Sequence, residues 1–222
     1  MTKTAITALC LFFVVLAPLP AESPSEYEMY WPQWRGPSGN GVAANSDPPV
    51  EWSETKNVKW KTAIPGKGSS SPIIWGDSIF VTSAVPTGVG EETGVKHQFV
   101  VFAIKRQNGE PLWRTTVRTE VPHEGTHRTG TWASNSAVTD GEHVYAYFGS
   151  RGLYSLDMSG NVRWERDFGD MHKRNSFGEG SSPALHGNRI LVQWDQEGPS
   201  FLVALDKITG EEVWKIDRDE PS

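Results

Sequence analysis

The stretch Val203-Ala204-Leu205-Asp206-Lys207-Ile208-Thr209-Gly210-Glu211-Glu212-Val213-Trp214 reads as a strand, a tight turn ending in glycine, and a second strand that carries a tryptophan. The Thr-Gly pair supplies the positive-φ position such a hairpin turn needs. The same text stands earlier as Phe102-Ala103-Ile104-Lys105-Arg106-Gln107-Asn108-Gly109-Glu110-Pro111-Leu112-Trp113. One residue shorter, it stands as Ser155-Leu156-Asp157-Met158-Ser159-Gly160-Asn161-Val162-Arg163-Trp164. Asn57-Val58-Lys59-Trp60 matches Asn161-Val162-Arg163-Trp164, so the chain enters the repeat at its last strand. Trp60, Trp113, Trp164 and Trp214 are spaced by 53, 51 and 50 residues.

Upstream of each of these hairpins lies another. Ser71-Pro72-Ile73-Ile74 turns at Gly76-Asp77 into Ser78–Thr82, Ser136-Ala137-Val138 turns at Asp140-Gly141 into His143–Phe148, and Ser182-Pro183-Ala184-Leu185 turns at Gly187-Asn188 into Arg189–Gln193. Each repeat is thus four short strands. No segment holds helical periodicity over the 11 or so residues a helix needs. An all-β chain of four-stranded units at this period is the signature of a β-propeller. The expected architecture is a partial propeller of four-stranded antiparallel blades at about 65–117, 132–168 and 178–218, three blades plus one N-terminal closing strand. Closed propellers have roughly 4 to 8 blades. Further C-terminal blades of the same chain are therefore expected, or a ring completed by more than one chain.

The Ala-(Ile/Leu)-(Lys/Asp)-x-x-(Asn/Thr)-Gly-Glu-x-x-Trp copies resemble the PQQ-like (pyrroloquinoline-quinone enzyme) repeat of quinoprotein alcohol dehydrogenases and of the BamB-type scaffold of outer-membrane assembly. The resemblance covers about residues 57–222, and Trp31-Pro32-Gln33-Trp34-Arg35-Gly36-Pro37 looks like the lead-in of exported PQQ-like propellers. It implies that each repeat tryptophan docks on the neighbouring blade near a repeat glycine. Trp113, Trp164 and Trp214 with Gly109, Gly160 and Gly210 are then structural. The paired glycines of kelch repeats are missing, and the single Trp194-Asp195 does not make a WD40 array.

Residues 1–21, with Lys3 followed by the apolar run Ala5–Leu16 and small residues, read as a secretory signal peptide. The run is shorter than the 20 or so apolar residues of a membrane span. Export to the periplasm or the extracellular space is expected. The one cysteine, Cys10, lies inside the run, so the mature chain has no disulfide and must rely on its core. A formal charge of -6 argues against nucleic acid or an anionic membrane surface as partner. Residues 22–56, rich in proline and small residues, read as an extended arm whose Trp31, Trp34 and Trp52 are expected to pack on the propeller side or rim.

The polar loops entering each blade converge at one mouth of a propeller. If a ligand binds, His127, Arg128, Trp132, Arg174, Asn175 and Glu179 are the candidate residues; the alternative is rim loops that only solvate or touch a partner. His123-Glu124-Gly125-Thr126-His127 spells H-E-x-x-H, which serves a zinc protease only on a helix. Pro122, Gly125 and Gly130 speak against a helix, and no metal site is assigned. PQQ dehydrogenases commonly stack the cofactor against adjacent cysteines and hold Ca²⁺ with Glu, Asn and Asp. No cysteine pair exists here and no calcium ligand maps residue by residue. No catalytic residue is assigned and no cofactor is expected. The reading is a non-catalytic exported binding or scaffold module for a protein or polysaccharide partner, with a PQQ- and calcium-dependent oxidoreductase as the alternative.

Overall fold

The computed structural model describes residues 25–43, 46–88 and 94–221. Among them are three four-stranded sheets. The first holds β1 (Ile73–Trp75), β2 (Ser78–Pro86), β3 (His97–Lys105) and β4 (Pro111–Glu120). The second holds β5 (Val138–Thr139), β6 (His143–Tyr147), β7 (Leu153–Asp157) and β8 (Val162–Arg166). The third holds β9 (Ala184–His186), β10 (Arg189–Trp194), β11 (Ser200–Asp206) and β12 (Glu212–Arg218). Strands run antiparallel in sequence order within each sheet, and the first strands meet across sheets, β1 with β5 and β5 with β9. The three sheets therefore fan out from their first strands as blades of a partial propeller that does not close.

The repeat is carried into the register. Ile74 faces Ile79, Thr139 faces Val144 and Leu185 faces Ile190. Each repeat tryptophan of an outer strand stands opposite a small residue: Trp113 opposite Ala103, Trp164 opposite Ser155, Trp214 opposite Ala204. The register slips immediately afterwards in all three sheets, between Ala103 and Ile104, Ser155 and Leu156, Ala204 and Leu205. The turn before that slip contains Gly109, Gly160 or Gly210 at φ of 77°, 87° and 70°, backbone that a side chain at this point would strain.

Two apolar layers fill the space between the sheets. Phe80, Phe99, Val101, Val144, Ala146 and Leu156 form the first, and Tyr145, Tyr147, Leu153, Ile190, Val192 and Trp194 form the second. The middle sheet sends alternate residues of β6 into each layer, so its period of two buries both faces. At each junction a tryptophan reaches the next sheet's turn. The indole N–H of Trp60 donates to the Arg106 carbonyl (3.0 Å), that of Trp113 to Met158 (2.9 Å) and that of Trp164 to Lys207 (3.0 Å). Their rings lie on Gly109, Gly160 and Gly210, where an added Cβ would come within 2.5, 2.7 and 2.6 Å. Two residues on, Thr62, Thr115 and Arg166 donate to the carbonyls of the same three glycines.

The arm departs from the expected packing of its three tryptophans on the propeller side or rim. Its first described element is a single helical turn, α1 (Glu26–Met29). Trp31 then bridges to Ile74 at the inner edge of β1, on the axis side and not at the rim. Trp34 and Trp52 are 51% and 76% exposed. The turn from Gln33 to Gly36 swings Trp34 outward, where the Arg35 guanidinium lies over its ring at 4.4 Å. Trp52 precedes a separate tight turn closed between Ser53 and Lys56. The expected signal peptide lies outside the described residues, and no helix among the described residues is long and apolar enough to cross a membrane.

Candidate functional site

Because strand direction alternates, the β4–β5 link (121–137), the β6–β7 link (148–152) and the β8–β9 link (167–183) all leave the sheets at one end. The first and third of these links are backbone-bonded to each other, His127 N–H to the Phe177 carbonyl at 3.1 Å. Together they form the mouth.

At its centre the Glu179 carboxylate accepts from the amide (2.6 Å) and the hydroxyl of Ser150, and the same hydroxyl accepts from the Met171 amide (2.7 Å). Burial pushes the Glu179 carboxyl above the usual carboxylate range, against the Ser150 hydrogen bonds and the nearby Arg151, which pull it down. Beside it Arg151 is buried, and its guanidinium meets Glu120 of β4, Asp170 of the β8–β9 link and Nδ1 of His123 (2.9 Å). Nε2 of His123 lies 2.7 Å from the Met171 carbonyl. A carbonyl only accepts, so His123 carries its proton on Nε2, and Nδ1 accepts from Arg151. Arg118 of β4 pairs with both Glu120 and Asp167 (2.6 Å). These charges tie the outer strand of the first sheet to the loops around the second.

Glu124 extends the network: its carboxylate accepts from the Lys173 amide (3.2 Å) and lies 2.9 Å from His172 Nδ1, and its carbonyl accepts from the Trp132 indole (2.9 Å). Burial lowers the Lys173 ammonium below its usual range, opposed by the carboxylates of Glu179, Asp195, Glu197 and Glu124.

The six candidate residues separate into two groups. Trp132 and Glu179 line a small gap of about 20 Å³ with His123, Glu124, Asn135 and Arg151, room for one water. His127, Arg128, Arg174 and Asn175 are exposed on the outer rim. His127 bonds Thr129 (2.8 Å) and sets its ring edge-on to Phe177 (5.5 Å), itself 56% exposed, while Arg174 lies 4.0 Å from Glu197. The H-E-x-x-H stretch is loop, and His123 and His127 are committed to different neighbours.

Trp132 also borders an open pocket of about 430 Å³ between the first sheet and the β4–β5 link, with Val85, Val95, Thr126, Lys67 and His97. The His97 ring packs on Trp132 at 4.6 Å between centroids, and its Nδ1 is tied to the Val95 carbonyl (2.9 Å). Sequence reasoning missed His97, Arg151, Asp170 and Glu120.

At the opposite end, Asp140, Glu142 and His143 of the β5–β6 turn offer ligand atoms within 4.8 Å of one another. Asp140 is already engaged by the Lys207 ammonium (2.8 Å) and by the amides of Glu142 (3.0 Å) and His143 (2.8 Å). Burial opposes ionisation of Asp140, but these partners outweigh it and hold the carboxyl below the usual range.

A family model described as outer membrane protein assembly factor BamB matches residues 41–177. Similar solved structures include a quinohemoprotein alcohol dehydrogenase from Pseudomonas putida HK5, at 19% identity and a TM-score of 0.47, covering 72% of this chain and 22% of that one. BamB from Moraxella catarrhalis is 15% identical with a TM-score of 0.43, covering 73% of this chain and 42% of that one. The quinohemoprotein alcohol dehydrogenase from Comamonas testosteroni is 14% identical with a TM-score of 0.46, covering 69% of this chain and 21% of that one. The chain thus spans between about a fifth and two fifths of the length of each. No curated protein matches it.

Proposed function

The chain belongs to the family of the outer membrane protein assembly factor BamB, and from that premise we propose that it is an exported, non-catalytic propeller module that binds a protein partner with the rim of its mouth. The observation that carries this reading is the division of labour among the mouth residues. The ionisable groups at the centre are engaged with one another and fix the loops, while Arg128, Arg174, His127 and Phe177 face outward on two backbone-bonded loops. Arginine and aromatic side chains on a held surface are the composition of protein-binding hot spots.

Export rests on the reading of residues 1–21 as a signal peptide and agrees with the periplasmic setting of an outer-membrane assembly factor. Further blades of the same repeat belong to the proposal. Trp214 and Ile216 are 38% and 57% exposed at the positions where Trp113 and Thr115 meet the next sheet's glycine turn.

The test is titration of the mature protein with PQQ and Ca²⁺, followed by absorbance and by dye reduction with simple alcohols and sugars. The expected result is no binding up to high micromolar PQQ. Tight binding with turnover overturns the reading in favour of a quinoprotein oxidoreductase.

A further inference from the structure

The inner edges of the three sheets present the same backbone positions to the axis: Ile74, Thr139 and Leu185, each paired to its own second strand in the same register. Two of the three are occupied by the arm. Trp31 and Ile74 exchange both backbone hydrogen bonds, Trp31 N–H to the Ile74 carbonyl at 3.2 Å and Ile74 N–H to the Trp31 carbonyl at 2.8 Å. One residue on, the Pro32 carbonyl accepts from the Thr139 amide at 2.9 Å. Consecutive arm residues therefore cross from the first blade to the second, running around the axis.

Side chains hold this crossing in place. Tyr27 and Tyr30 pack their rings on Trp75 at 6.3 and 5.3 Å, and Trp75 in turn lies on Gly141, where an added Cβ would come within 2.2 Å of the indole. Pro32 is buried. The chain folds back at Gly36, whose own Cβ position is filled by the Trp31 ring (2.6 Å), and Gln33 Nε2 fastens that fold to the Gly36 carbonyl (3.1 Å). Among the described residues no backbone hydrogen bond of the arm reaches Leu185.

We infer that Tyr27–Pro32 is a strap that seals the axis-facing edges of the first two blades at the end opposite the mouth. An unpaired strand edge is a template for another extended chain. The strap fills that template with a segment of the molecule itself and staples the two blades independently of the tryptophan junctions. The inference does not depend on what the mouth binds.

Amide hydrogen exchange on the intact protein, read residue by residue, tests it, with Leu185 as the internal contrast. Ile74 and Thr139 should exchange at least about tenfold more slowly than Leu185. In the Tyr27→Ala/Tyr30→Ala double variant, which removes the grip on Trp75 without touching a backbone bond, Ile74 and Thr139 should speed up while core amides such as Phe99 and Val192 keep their wild-type rates. Ile74 and Thr139 exchanging at the Leu185 rate in the parent protein, or unchanged exchange in the variant, overturns the strap. A uniform acceleration that includes Phe99 and Val192 overturns it as well, because the arm would then be part of the core.

Discussion

Trp164 shows what one residue of the repeat does. Its indole donates to the Lys207 carbonyl, lies on Gly210 and packs at 6.0 Å from the buried Tyr145 ring. Removing it deletes a large ring and leaves a glycine turn with nothing to rest on, and Trp164→Ala is expected to cost about 3 to 5 kcal/mol in urea unfolding. Trp214 has the same place in the repeat but is 38% exposed, and Trp214→Ala in this chain should cost no more than about 1 kcal/mol. Equal costs would show that the junction, and not the repeat position, is the wrong unit of account. Glu179 gives a pH signature. Its folded pKa lies above its unfolded value, so its contribution is full at acid pH and is lost as the pH rises through the folded pKa. Glu179→Gln keeps an acceptor for Ser150 and removes that titration. The stability of the variant relative to the parent should therefore be greater at pH 7 than at pH 4, measured by urea midpoints at the two pH values; a constant difference would place the carboxylate in water.

At the scale of elements, what was legible in the sequence and what was not divide by range. The hairpins are local: a Gly at a fixed distance from a Trp fixes turn and register together, and the slip opposite the tryptophan recurs in all three sheets. The mouth is not local. Arg151 draws together Glu120 from the end of β4 and His123 and Asp170 from two different links, and nothing in the period of the repeat marks these positions, because they lie in or next to the connections, which the repeat does not constrain. The same holds for the arm. Three tryptophans suggested packing, but composition could not say that Trp31 would pair with an inner strand while Trp34 and Trp52 stayed in water. The Arg151 network predicts its own test. Arg151→Ala removes the buried cation that joins Glu120 to Asp170; Glu120 keeps Arg118 and Asp170 is half exposed, so the cost should be about 1 to 3 kcal/mol. Limited proteolysis should then nick the β4–β5 link around residues 121–131 well before the sheets unfold. Unchanged stability and cleavage would mean that the cluster is solvated and carries no structural weight.

Among the described residues the three sheets stand in a row, β1 meeting β5 and β5 meeting β9, so stability is close to a sum of blades and junctions. The middle sheet is buried on both faces, between the layer of Phe80, Phe99 and Leu156 and the layer of Tyr147, Ile190 and Trp194. Each outer sheet has one such layer. Cooperative unfolding therefore passes through the second sheet, and the coupling on each side is set by one apolar layer and one tryptophan junction. Each junction has a charge pair besides, Arg118–Asp167 at the first and Lys207–Asp140 at the second, and the first has the strap at Ile74 and Thr139 in addition. Weakening the second junction should accordingly do more than lower stability. Trp164→Ala is expected to split the single unfolding transition, with amides of β10 and β11 exchanging at a lower free energy than those of β2, β3 and β6. The equivalent change at the first junction, Trp113→Ala, should lower all of them together. Hydrogen exchange in sub-denaturing urea reads both variants, and two single transitions of equal shape would mean that the blades are coupled by something other than the nearest-neighbour contacts described here.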